Sequence, residues 1–218
     1  MFRIEPIRHA WHPQPENPDY TQMRPSSHTQ FKDKDIQTAY ELLFDISDLL
    51  NREGIPWHLE GGTLLGLVRD GELLPWDHDL DISVPAVHAG ELRSALQKLA
   101  RRWRLSYRYF EADSDMWKKG DLRLVKVKNR HLFFMPGDHC LDIFIKYDHE
   151  GASYWQAGEF IMQADASHYQ GCDSLEYKGH RLCLPRNHEA YLEAKYGDWK
   201  TPVQDWDFSQ EKTICSGR

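Results

Sequence analysis

Asp77, Asp79 and Asp81 occupy alternate positions leading into an apolar stretch, Leu80-Asp81-Ile82-Ser83-Val84. Alternation of this kind is a strand pattern. It turns Leu80 and Ile82 to one face of a sheet and Asp79, Asp81 and Ser83 to the other. Carboxylates spaced two residues apart on one strand face repel each other unless a cation neutralises them. Upstream, a short strand over 56–60 runs into Gly61-Gly62-Thr63, which opens a helical run from Gly62 to Val68. Backbone N–H groups at such a helix start suit an anion. A strand–turn–helix–loop–strand unit that carries both features predicts an α/β (α+β) chain with its polar groups gathered at one cleft. Cation site and phosphate cradle together point to metal-assisted chemistry on a phosphate.

The remaining pattern fits that architecture. Apolar residues recur at steps of three and four from Ile36 to Leu50, which predicts an amphipathic helix over 35–51 ending near Gly54. A second helix is predicted over 88–102. Strands are predicted at Leu105–Phe110, Leu122–Lys128, Leu132–Met135, Leu141–Tyr147 and Tyr154–Met162. A hairpin is predicted over 174–184 with Lys178-Gly179 at its tip. Asn187 is positioned to N-cap a last helix that Gly197 stops. The expected fold is a mixed β-sheet of five to seven strands flanked by helices. Residues 1–30 hold five prolines and read as a separate arm that precedes a catalytic domain over 31–218.

Composition excludes several functions. A formal net charge of −7 argues against a general nucleic-acid binder, which needs a basic face. None of the four cysteines forms a Cys-x-x-Cys pair or a zinc-finger spacing, so reduced, mostly buried thiols are expected. No apolar run approaches the ~20 residues of a membrane span, and no signal peptide is visible. A cytoplasmic location, with at most peripheral membrane association, is the resulting expectation. Asp77-x-Asp79-x-Asp81 is not an EF-hand loop, because Ile82 and His88 stand where Gly and Glu are required.

Asp142, alone between Leu141 and Ile143, is a carboxylate that an apolar strand does not bury without a partner. It reads either as a hydrogen-bonded edge residue or as a third acid facing Asp79 and Asp81. Arg69 has two readings, a phosphate contact or a cation at the C-terminal end of its helix. Trp76 either stacks on a base or pins the Pro75 loop. Lys126 and Lys128, alternating with Val125 and Val127, either face the cleft and meet phosphate oxygens or form a solvated strand face; Lys195 reads more readily as a helix-end cation than as a catalyst, and Asp77 as a supporting residue or a metal contact.

The run Gly61-Gly62-Thr63-Leu64-Leu65-Gly66 … Arg69 … Pro75-Trp76-Asp77-His78-Asp79-Leu80-Asp81 resembles the signature of the LicD family. That family has the nucleotidyltransferase fold and is related to fukutin and fukutin-related protein. Leu141-Asp142-Ile143-Phe144 and Tyr196-Gly197-Asp198-Trp199 … Pro202 agree with it, so the likeness covers roughly residues 35–203. The resemblance implies transfer of a phospho-group, such as phosphocholine or a polyol phosphate, from a CDP-linked donor to a glycan or lipid-linked oligosaccharide, with CMP leaving. It implies Asp79, Asp81 and Asp142 as ligands of Mg²⁺ or Mn²⁺, two ions in all. Gly61, Gly62, Thr63, Arg69 and Trp76 then fall to the donor. His78 departs from the family pattern, where many members carry an acid. The zinc-binding cysteines of fukutin-related protein have no counterpart here. Two rivals share part of the motif: transfer of a nucleotidyl group from a nucleoside triphosphate with pyrophosphate release, and a glycosyltransferase using Asp79-Leu80-Asp81 as its metal motif.

Overall fold

The computed structural model describes residues 30–31, 36–131, 135–203 and 211–217. The expected N-terminal arm, apart from Gln30, and most of the expected strand at Leu132–Met135 lie outside the described residues. The periodic apolar run forms α1 (Ile36–Glu53), which buries Leu42, Leu43, Ile46 and Leu50 and ends at Gly54 with φ +69°. A two-residue strand, β1 (His58–Leu59), leads directly into α2 (Gly61–Arg69). Next come β2 (Leu80–Pro85), α3 (Ala89–Leu96), β3 (Arg104–Tyr109), β4 (Leu122–His131) and a long β5 (Met135–His149).

Strand β2 pairs in parallel with β5, while β1 is antiparallel to β2, and β4 is antiparallel to both β5 and β3. Register decides what each face carries. Leu80, Ile82 and Val84 lie beside Leu141, Ile143 and Ile145, and Val125 and Val127 continue the row. All eight are fully buried in one apolar cluster with α1 and α3. Burying such aliphatic side chains stabilises by about 1.5–3 kcal/mol each against an exposed reference. The opposite face carries Asp81, Asp142, Lys126 and Lys146.

The C-terminal half of β5 pairs with β6 (Ala152–Ala157), and β7 (Phe160–Asp165) and β10 (Ile214–Gly217) extend that wing. Among the described residues the sheet therefore has eight strands rather than five to seven. The single strand expected at Tyr154–Met162 is instead the β6–β7 hairpin. Gly158, at φ +60°, opens a two-residue turn there, and an apolar run on both arms hides that turn from a periodicity reading. The helix expected over 88–102 is α3 with a 3₁₀ turn at each end. The tighter turns after Leu96 bring Trp103 into the core, where its indole N–H donates to Asp45.

The hairpin predicted over 174–184 is present as β8 (Asp173–Tyr177) and β9 (His180–Leu184). The expectation of reduced thiols is corrected there. Cys172 and Cys183, with Cα atoms 5.4 Å apart across the hairpin, form a disulfide, while Cys140 is buried and Cys215 exposed. Asn187 precedes α4 (His188–Tyr196) but does not cap it with its side chain. It adopts a left-handed conformation at φ +54°, one that Asn tolerates, and so turns the chain from β9 into the helix. Among the described residues no helix is long and apolar enough to cross a membrane.

Gly66 is where α2 packs most tightly on the following loop. A Cβ there would lie 2.6 Å from the Glu72 carbonyl and 2.9 Å from the Leu74 nitrogen, both backbone atoms that cannot rotate away. Gly66→Ala is expected to cost about 1–3 kcal/mol, the range for overpacking a fixed contact, in a urea-unfolding measurement.

Candidate active site

Parallel pairing of β2 with β5 sets Asp81 directly beside Asp142. With Asp79 at the mouth of β2, each of the three acids offers an oxygen, and these oxygens lie within 4.8 Å of one another. Burial and then the charges of Asp79, Asp142 and Asp77 hold the Asp81 carboxyl well above its ordinary range, and Lys195 offsets this only in part. A hard, all-carboxylate donor set with unrelieved negative charge fits Mg²⁺ or Mn²⁺, and no described thiol or imidazole in the cluster favours a softer metal.

The glycine turn makes this convergence possible. Gly61 has φ +54°, and a Cβ on it would lie 2.6 Å from Asp81 Oδ2; a Cβ on Gly62 would lie 1.9 Å from Asp77 Oδ2. The two glycines thus let carboxylates of the chain itself approach the N-terminal end of α2, where the helix dipole favours negative charge. Thr63 is buried, and its hydroxyl oxygen accepts the Asp81 backbone N–H at 2.9 Å. Glu60 N–H donates to the Asp81 carbonyl at 3.0 Å. The turn, expected as a phosphate cradle, thereby also clamps Asp81 in place.

The other sequence candidates are dispersed. Arg69 lies eight residues along α2, about 12 Å from Gly61 at the helical rise. Its guanidinium grips both Asp70 oxygens at 2.7 and 2.8 Å and reaches the Trp199 carbonyl at 3.5 Å. It ties α2 to the segment after α4. Trp76 is half-buried in the loop beside Asp77. Asp77 shapes that loop: its carboxylate accepts the His78 N–H at 2.8 Å, and its carbonyl accepts from Phe31 N–H at 2.8 Å.

Two groups of residues have contacts that the sequence did not settle. Lys126, read either toward the cleft or on a solvated face, is opposite Asp142 in register, with Nζ 2.6 Å from Oδ2. Cys140 Sγ donates to the other Asp142 oxygen at 3.2 Å, and burial, then the Asp142 charge, pushes its thiol up. Alternation with Val125 and Val127 offered the cleft as one placement for Lys126, but strand pairing is not legible from a single sequence, so its contact with Asp142 was not.

The second group is a buried polar layer behind α2. Glu60 pairs with Lys146 at 3.1 Å and accepts the Tyr191 hydroxyl. Lys146, 2% exposed, lies over the Trp155 ring. Lys195, expected as a helix-end cation, is buried and paired with Glu211 from the segment before β10. Burial pushes Lys146 down to about 7 against the pull of Glu60. Burial alone would raise the Glu60 carboxyl, but Lys146, Lys195 and Tyr191 outweigh it and hold the group below its usual value. Here the sequence did carry a signal. Lys146 shares parity with Asp142 and is flanked by Ile145 and Tyr147 as Asp142 is by Leu141 and Ile143, the same mark that singled out Asp142.

The chain is 31% identical over 116 residues to a Rickettsia typhi protein, RT0683, covering 53% of this chain and 31% of that one. It is 26% identical over 179 residues to the ribitol-5-phosphate transferase FKTN of Homo sapiens, covering 80% and 36%. It superposes on a lincosamide antibiotic adenylyltransferase, LnuA, with a TM-score of 0.43 at 14% identity over 69% of this chain and 84% of that one. The chain spans about a third of the length of the curated relatives it matches. The family described as LicD/FKTN/FKRP, nucleotidyltransferase domain, matches residues 54–187, a stretch that contains every acid of the cluster, the glycine turn and Lys126, so the chain belongs to the LicD family.

Proposed function

We propose that residues 31–218 are a metal-dependent phosphotransferase domain that moves a phospho-group, phosphocholine or a polyol phosphate, from a CDP-linked donor to a glycan acceptor. The observation that carries this reading is the convergence of Asp79, Asp81 and Asp142 beside the glycine turn in a chain of this family. The relative FKTN is named a ribitol-5-phosphate transferase, which favours a polyol phosphate as the donor's head group.

Asp79, Asp81 and Asp142 would hold Mg²⁺ or Mn²⁺. Bound divalent cations supply Lewis-acid stabilisation of phosphoryl oxygens on both sides of an in-line displacement. The chain does the rest by positioning. Thr63 and Glu60 fix the backbone of Asp81, and the Asp77 loop sets the mouth of β2. Trp76, half-buried beside that loop, is assigned to the cytosine ring. Arg69 is assigned to the α2–Trp199 contact instead of the donor, because its guanidinium is committed to Asp70. The acceptor hydroxyl forms a bond to the distal phosphorus, the bridging P–O bond breaks with its electrons leaving on CMP, and the hydroxyl proton passes to a site carboxylate.

The test is a product assay. The protein with Mn²⁺, CDP-ribitol or CDP-choline and a glycan acceptor should release CMP. Pyrophosphate release from a nucleoside triphosphate would instead support nucleotidyl transfer. A thermal-shift series should show CDP with Mg²⁺ adding about 2.7 kcal/mol over the ligand-free protein at a hundredfold its Kd, and more than ADP or UDP at the same concentration. Preference for an adenine nucleotide would count against the CDP donor.

A further inference from the structure

We propose that Lys126 is a built-in counter-ion of the acidic cluster, one that competes with a divalent cation for Asp142 and, once displaced, contacts a phosphate oxygen of the donor. The inference rests on the reading of Asp79, Asp81 and Asp142 as a metal centre.

Three observations support it. First, Lys126 and a cation would share one carboxylate. Lys126 Nζ is 2.6 Å from Asp142 Oδ2, and an oxygen of Asp142 is also one of the three that converge within 4.8 Å. Two cations crowding one carboxylate repel each other, so each weakens the other's hold. Second, Lys126 is free to move where Asp142 is not. The lysine side chain is 33% exposed and the aspartate 8%. An ammonium on a four-carbon stem can move several ångströms without disturbing β4.

Third, among the described residues the neighbours of Lys126 on β3 and β4 offer a displaced ammonium no second carboxylate, and Asp79, the other acid near it, belongs to the cluster itself. On β3, Ser106 lies opposite Lys126, and Arg104 lies opposite Lys128. These neighbours and Leu124, the next residue on the same face of β4, include no carboxylate. Like charges directly opposite across a strand pair destabilise it. Arg104 and Lys128 therefore make this end of the sheet face favourable for phosphate oxygens.

Isothermal titration calorimetry separates this role from a structural one. Mn²⁺ is titrated into wild type, K126M, K126R and D81N, and CDP is then titrated at saturating Mn²⁺. K126M is expected to bind Mn²⁺ about tenfold tighter and CDP about tenfold weaker, the scale of losing one short charge–charge contact. K126R should restore part of the CDP affinity. If K126M melts early, K126Q, which keeps a polar head, carries the same expectation. A lysine that only braced Asp142 would give the opposite sign, with Mn²⁺ bound more weakly in its absence. Equal or weaker Mn²⁺ binding by K126M, with wild type binding normally and D81N failing, overturns the inference and leaves the metal centre standing. No Mn²⁺ binding by wild type overturns both.

Discussion

Asp81→Asn is expected to remove cation-dependent turnover and, in the presence of a chelator, to raise the melting temperature. The first effect follows if Asp81 is a ligand. The expected loss is at least about two orders of magnitude, typical of removing one preorganised electrostatic group. The second follows from the crowding of acids. Asp81 is pressed between Asp79 and Asp142, with Asp77 nearby, and its carboxyl is held well above its ordinary value. A carboxyl raised in the folded state binds its proton more tightly there than in the unfolded chain. Stability is therefore lost as pH rises from the ordinary carboxylate range through the raised value. Asn removes that penalty, keeps the shape, and leaves the backbone bonds to Thr63 and Glu60 intact. A gain of about 0.5–2 kcal/mol is expected, the range of a typical stabilising substitution. Differential scanning calorimetry with EDTA at pH 5 and pH 8 measures it; the variant should gain more at pH 8. A variant that is destabilised at both pH values would show that the acids are not in conflict.

Lys146→Met should produce the largest loss of stability of any single change considered. Lys146 and Glu60 are both nearly inaccessible, with Nζ and Oε1 3.1 Å apart. Removing Lys146 leaves the buried Glu60 carboxylate with only Lys195 and Tyr191 to offset its charge, which costs up to about 3–5 kcal/mol. For a chain of this length that is roughly a 10 °C fall in melting temperature. Glu60→Gln should cost less, since the amide can still accept from Tyr191. The double variant E60Q/K146M should be less destabilised than the sum of the singles, because neither leaves an isolated charge. Urea unfolding of the four proteins closes the cycle, and strict additivity would mean the pair is not coupled. The same variants read out function as well. Glu60 is the residue immediately before the glycine turn, so a shift in its position moves Asp81 through the Glu60 N–H bond.

Much of this was visible along the chain. Alternation told which face Asp79 and Asp81 share, because strand side chains repeat every two residues whatever the strand pairs with. The glycine turn announced the start of α2, and a lone acid in Leu141-Asp142-Ile143 marked itself by the cost of burying it. Membership of the LicD family rests on these same local runs. Tertiary structure alone decided that position 142 lies beside 81, that Lys126 meets Asp142, and that Glu60 finds Lys146. Those pairs join strands and loops separated by up to eighty-six residues. Local periodicity reports which face a side chain occupies, but the strand that will lie alongside is chosen by how the whole sheet buries its apolar face.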